Sequence, residues 1–491
     1  MKQVNYYIYT GAVVFMLVVS SCTKGFKDLN KNPNASEFAL PQALLAPAIT
    51  DVVSRNMDRG AKRINNELMQ VHVLMGDVEG RIFRYDIRRS EADYLWNNWY
   101  LQLTNFKSLY TSAEELYRVD GNNVSKTYMA IGLICQSWVA SLLTDTYGDI
   151  PYFDANKGKD GILMPVFDRQ EDIYKDIFDK LEQANELLKT GADLPAEQAG
   201  SDPIYAGAAA KWRKFGNSLY LRLLLRVSAK AESDVAAKVR EIVQTQANNY
   251  PIIATNAESA ILRWTGVLPY QSPFQTDRDS DWNLLKLAEF FVDNLNAWGD
   301  PRIVKWATLK NGQYAGIPSG YPVGEVPDPK SAMPLALKTE PLLGNIMNYA
   351  EVQFILCEAA LRGWISGSAQ QYYENGITNG ITLWGYNVPA NYLAGTFIKW
   401  DESEPFDNKL EKIQLQKYYS LFFTDLEQWF EYRRTGHPVL PKGTGLLNNG
   451  EMPARLNYPV YLQSTNRDNY DAAVAIQGPD DISTKVWWQR P

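Results

Sequence analysis

Apolar residues recur at helical spacing along most of the chain. The densest run is Ile413–Pro438, IQLQKYYSLFFTDLEQWFEYRRTGHP. There Leu415, Tyr419, Phe422, Leu426 and Trp429 fall at steps of four and three, so the spacing predicts one helix. Leu421, Phe423 and Phe430 widen its apolar face until little of the circumference is polar, which predicts packing on more than one side. The run closes with Arg433 and Arg434 in a last turn, Gly436 where a left-handed residue is wanted, and then Pro438.

Upstream, Trp96, Trp99, Tyr100, Leu103, Phe106, Tyr110 and Tyr117 mark a helix over 94–117. Ile131, Ile134, Cys135, Trp138, Val139, Leu142 and Leu143 mark a second over 126–146. Asp168, with Glu171 three residues on, reads as a capping box that opens a third, and its apolar stripe runs from Ile173 to Leu188. A fourth covers about 208–229, with Trp212, Phe215, Leu219 and Leu223 on one side. Residues 348–364 form another. Its partner carries Tyr372, Gly376, Gly380 and Trp384 at steps of four. Ala359 and Gly376 are small enough for close approach, so the pair predicts an α-hairpin of the tetratricopeptide type, although no strict repeat period is present. Three stretches break the pattern: Tyr250–Trp282, Asn311–Pro341 and Asn448–Pro491 are rich in turn residues. Loops of that length inside a compact chain are usually functional or mobile. The fold class predicted is therefore mostly α.

The first residues belong to another category. Residues 1–21 carry a lone Lys2 ahead of an apolar core from about Ala12 to Val19, too short for a comfortable membrane span, and predict an export signal. Val19-Ser20-Ser21-Cys22 has the aliphatic–small–small–cysteine form of a lipobox, which makes Cys22 the expected lipid anchor and mature N-terminus. Residues 22–36 read as a polar tether broken by Asn-Pro-Asn, and 37–491 as a single domain.

Composition narrows the chemistry. The net charge is −7 with no long basic run, which argues against nucleic acid as a main ligand. Cys135 and Cys357 sit in apolar runs and read as buried thiols. Two histidines, His72 and His437, are too few for a multi-histidine metal site. The chain has no phosphate-binding loop, nucleophile elbow or zinc-protease motif, so no cofactor, metal or catalytic residue is assigned. Asp277, Asp279 and Asp281 alternate but lack the glycine and distal glutamate of a calcium loop, and read as a solvated face. Aromatics make up 12% of the chain, which directs attention to those on loops. Trp264, Tyr270, Trp282, Tyr314 and Tyr321 are the candidate ligand platforms, with Arg278, Asp279 and Asn283 as hydrogen-bonding neighbours. Trp96, Trp99, Trp138 and Trp212 lie on helical stripes and are expected in the core.

QKYYSLF, EQWFEYRRTGHP, RLNYP at Arg455–Pro459 and KWRKFGNSLYLRLLLR near 211–226 together resemble the signature blocks of SusD/RagB-type outer-membrane lipoproteins. Two positions depart from the family pattern: His437 stands where an aromatic is often seen, and Leu462 where a glutamate usually follows Tyr458–Pro459. The resemblance implies tetratricopeptide-like hairpins packed against an irregular, loop-rich lobe. It implies a non-catalytic, lipid-anchored protein on the outer membrane, facing the exterior. Such a protein captures an oligosaccharide or peptide and acts as the lid of a SusC-like TonB-dependent transporter. Two other readings stay open: a surface hydrolase acting on a glycan, and a peptide- or protein-binding repeat lipoprotein without a transport role.

Overall fold

Helical hairpins account for most of the structure, a computed structural model that describes residues 39–490. The export signal, Cys22 and the tether lie outside the described residues. Every element below belongs to one compact unit, Pro41–Pro491. Helix α1 (Pro41–Arg55) runs directly into a π-helix, Asn56–Asn65, and the short strand β1 (His72–Leu74) follows. Then come α2 (Glu91–Asp120), α3 (Asn123–Tyr147), α4 (Gln170–Thr190), α5 (Ala209–Arg226) and α6 (Glu232–Arg240), each packed on its neighbours. Gly121, at φ 63°, ends α2, and the Asn122 side chain accepts the Val124 N–H to start α3. Gly132 lets the pair close: a Cβ there would sit 3.1 Å from Leu109 and 3.2 Å from Tyr110. Helix α3 is long and apolar enough to cross a bilayer by composition, yet it is buried inside the protein.

The irregular lobe holds β2 (Ala260–Ile261), β3 (Leu285–Leu287), α7 (Glu289–Trp298) and β4 (Asn345–Met347). Strand β1 pairs antiparallel with β3, with Leu74 opposite Leu285, and β2 pairs antiparallel with β4. The second hairpin region follows: α8 (Tyr349–Leu361), α9 (Ala369–Thr382), α10 (Phe406–Ser420), α11 (Glu427–Thr435) and α12 (Arg467–Gln477). Gly376 meets the Phe354 ring at 2.7 Å from an ideal Cβ, so the small residue does set the α8–α9 approach.

Two expectations change. The run over 413–438 is not one helix. It breaks at 421–426, where Phe423 and Asp425 take φ of 59° and 44°. The break turns polar side chains inward: Thr424 accepts Asn345, and Asp425 accepts Asn56 at 2.7 Å and Trp138 at 2.8 Å. The closing signals stand, with Gly436 left-handed at φ 77°. Asp168 does not cap α4. It accepts the Tyr152 and Phe153 N–H groups, while Asp149 accepts the Gln170 N–H at the helix start.

Under this break lies a buried ionic network. Arg222 meets Glu351 at 2.6 Å, and Arg226 bridges Asp145 at 2.6 Å and Glu427 at 2.5 Å. Arg434 joins Glu358 and Glu431, and Lys417 also binds Glu431. Burial pushes Glu431 upward, but Arg434, Lys417 and Arg226 outweigh it and hold this carboxyl well below the usual range.

Candidate functional site

The π-helix Asn56–Asn65, NMDRGAKRIN, builds one wall of a 460 Å³ cleft. Such helices are rare, mostly single turns, and frequent at functional sites. Its inward face is Asn56, Met57, Gly60, Ala61, Ile64 and Asn65. Asn56 accepts the Trp99 indole N–H and donates to Asp425. Asn65 accepts the Trp429 backbone N–H at 3.0 Å and donates to Gln428 Oε1 at 2.6 Å. Helix α11 and the break before it therefore hold the wall at both ends. The outward face is Asp58, Arg59, Lys62 and Arg63, and all four line the cleft.

The other walls come from Glu67, Arg81, Asp277, Asp281 and Trp282, with an apolar floor of Leu74, Leu284 and Leu285 at the β1–β3 ladder. Lys62 Nζ spans Asp58 at 2.7 Å and Asp277 at 2.9 Å, and sits 4.7 Å over the Phe274 ring. Arg59 lies 3.3 Å from Asp58, and Arg63 lies 2.9 Å from Glu91. Glu67 Oε2 accepts the Phe83 N–H at 3.1 Å. Burial pushes its carboxyl up to about 7, against the pull of Arg63, the Phe83 N–H and Arg81. His72 is buried beside the wall and shares a 3.0 Å hydrogen bond with the Lys62 carbonyl. Burial drops its pKa to about 3, so the neutral ring donates through Nε2.

A second depression adjoins the cleft. The Arg59 guanidinium sits 4.0 Å from the centre of the Tyr94 ring. Tyr94 lines a more open trough of 610 Å³ with Asp51, Arg55, Asp93, Asn97, Asn98 and Leu101. Together they form a surface lined by acids, bases and amides, with the exposed Tyr94 ring where the two meet. Among the described residues no group of three His, Cys, Asp or Glu side chains could hold a metal.

The model of a family described as "Starch-binding associating with outer membrane", SusD-like, matches residues 33–459. The chain belongs to the SusD-like family. No curated protein sequence matches it. Solved structures with the SusD-like fold superpose over nearly the whole chain. A SusD homologue from Bacteroides fragilis is 26% identical, covers 92% of this chain and 99% of its own, and gives a TM-score of 0.75. A chitin-binding protein is 25% identical over 92% and 99%, with a TM-score of 0.76. A chitin-binding SusD homologue from Flavobacterium johnsoniae shares the fold at 22% identity, covering 92% and 98%, with a TM-score of 0.79.

This SusD-like chain treats the loop aromatics differently from the sequence expectation. Trp264, Trp282 and Tyr321 are turned inward and offer no open ring face. Trp264 Nε1 points at Met57 Sδ of the π-helix, and Trp282 Nε1 donates to the Met333 and Pro334 carbonyls. The Tyr321 hydroxyl exchanges hydrogen bonds with both backbone groups of Gly76. Tyr270 and Tyr314 are half-buried against the core. Arg278 and Asn283 are exposed on the segment that carries Trp282, and Asp279 is exposed there and ion-paired to Lys338 at 2.7 Å. Only Trp282 of these eight lines the cleft. The residues missed are Asp58, Arg59, Lys62, Arg63, Glu67 and Arg81. Their signal was present in Asp58–Arg63, where four charges flank the small pair Gly60-Ala61.

Proposed function

We propose that this SusD-like protein captures an oligosaccharide in the cleft and trough and hands it to a SusC-like TonB-dependent transporter of the outer membrane. The observation that carries the binding part is the joined, charge-lined surface bridged by Arg59 and Tyr94. Sugar hydroxyls both donate and accept, so paired carboxylates and guanidinium groups suit them, and the Tyr94 ring and leucine floor take C–H faces. Its open shape fits reversible capture of an extended chain. Chitin binding by the 25% identical relative supports the ligand class. The transporter partner, the lipid anchor at Cys22 and the outward orientation rest on the resemblance of the signature blocks and on the family description. The role is non-catalytic. Glu67, the one cleft carboxyl poised to carry a proton near neutrality, is 3% exposed and commits an oxygen to backbone.

Calorimetric titration of a soluble form starting after Cys22 with a panel of oligosaccharides and peptides tests this, followed by product analysis. Saturable binding of an intact glycan, weakened by Tyr94→Ala, is expected. Glycan cleavage, or binding of peptides alone, overturns it.

A further inference from the structure

Charges in the cleft are matched unevenly. Arg59 has Asp58, Lys62 has Asp58 and Asp277, and Arg63 has Glu91. Arg81 has no ion pair among the described residues, although it lines the cleft. Burial disfavours its charge; Glu67 and Tyr321 act on it through space in favour of the charged form, and Arg63 and Arg84 against it. Arg84 is itself buried and commits Nη2 to the Val78 carbonyl. Its closest carboxylate is Asp77 at 3.8 Å, and its Nη1 has no hydrogen-bond partner. The carboxyl next to Arg81 is Glu67, which is sealed and already hydrogen-bonded. Asp281 also lines the cleft, is exposed and has no ion pair among the described residues. The cleft therefore offers one cation without an ion pair, suited to an anion, and one carboxylate without an ion pair, suited to hydroxyl donors.

We infer that the cleft selects an anionic sugar, one whose carboxylate or sulfate is received by Arg81 while ring hydroxyls donate to Asp281. This deepens the oligosaccharide-capture reading and rests on it. A bare phosphate or sulfate ion engages only Arg81, and a neutral sugar leaves Arg81 without an ion pair. A guanidinium donates to both oxygens of a carboxylate in one plane, so the preference is geometric as well as electrostatic.

Proton linkage follows. The groups acting on Glu67 are Arg63, Arg81, Glu91 and the Phe83 N–H. An anion on Arg81 adds negative charge beside Glu67 and favours its protonated form, so binding takes up a proton. Affinity for an acidic sugar falls as pH rises through about 7, the value at which Glu67 ionises, and a neutral sugar shows no such fall.

The test compares four probes on the chain starting after Cys22: an oligogalacturonide, its methyl ester, a sulfated oligosaccharide and a neutral oligosaccharide of equal length. The ester removes charge and keeps the ring. An anionic probe is expected to bind about tenfold or more tighter than its neutral counterpart, the scale of a charge-assisted hydrogen bond. Arg81→Gln is expected to erase that preference with an unchanged melting profile, and Arg81→Lys to restore part of it. Should Arg81→Gln fold poorly, salt titration of the unaltered chain decides the same question, since only a charge-selected ligand weakens steeply with salt. Whether uronide or sulfate wins identifies the source of the anion. Equal affinity for uronide, ester and neutral chain overturns the anion preference and leaves glycan capture standing. Binding of none of the four overturns both.

Discussion

Two groups of charges in this molecule look alike in composition and differ in use. Beneath α11, Arg222, Arg226, Arg434 and Lys417 face Asp145, Glu351, Glu358, Glu427 and Glu431, and every one of these side chains is buried. In the cleft, Arg59, Arg63 and Asp58 keep roughly 30% of their side-chain surface open to water. The first group is closed on itself: each cation has its carboxylates, many of them bidentate or shared. The second is saturated only in part, and Arg81 is the member left over. Charged residues thus build architecture where burial and pairing are complete. They make a binding surface where pairing stops short.

The comparison breaks first at Arg226. Arg226→Met leaves Asp145 and Glu427 uncompensated in the interior, and is expected to cost about 3–5 kcal/mol, read from urea midpoints. A loss under 1 kcal/mol would show that the network tolerates an unpaired buried charge. Next is Asn65→Ala, which strips the Trp429 N–H and Gln428 of partners. It is expected to cost about 1–3 kcal/mol and to weaken ligand binding as well, because the same side chain holds the cleft wall. An intact affinity in that variant would uncouple the wall from α11.

Asp425 sharpens the contrast from inside the core. Its hydrogen-bond partners are neutral, Trp138 and Asn56. Burial pushes its pKa up to about 7 from an unfolded value near 3.8, against the pull of those donors. The folded chain therefore holds a proton that the unfolded chain gives up over this window. That contribution to stability is complete below about pH 4 and is lost as pH rises through about 7. Relative to Asp425→Asn, the unaltered chain should lose stability over that interval. Parallel stability–pH curves for the two would refute the assignment. The smallest effect belongs to the cleft. Arg59→Met is expected to change stability by less than about 1 kcal/mol, because its ion pair is partly solvated, while oligosaccharide affinity drops.

The hairpins were legible because their apolar spacing is regular: Trp99, Trp138, Trp212 and Trp429 all lie in the core where the stripes put them. The break at 421–426 was not, since Leu421, Phe422 and Leu426 keep helical spacing through it, and only tertiary partners such as Asn56 and Trp138 draw Asp425 inward. Asp149 meets the first N–H of α4 in place of Asp168 for a similar reason: Asp168 is the carboxylate close in sequence, but the Tyr152 loop draws it away and the chain returns Asp149 to Gln170. The inward turn of Trp264, Trp282 and Tyr321 was not legible, because an aromatic on a loop has no period to say which way it faces. The cleft wall escaped notice because Asp58–Arg63 reads as an ordinary solvated helix face. Nothing local reveals that Asp277, more than two hundred residues later, closes over it.

The clasp on the π-helix also has a consequence in time. Asn56 and Asn65 reach their partners across separations of 369 and 363 residues, so nothing near them in sequence can finish the wall. Closing so long a loop is slow. A chain cut before α11 keeps the charges of the cleft but lacks the residues that hold them in place. Competence to bind therefore depends on residues from both ends of the described chain being in place together.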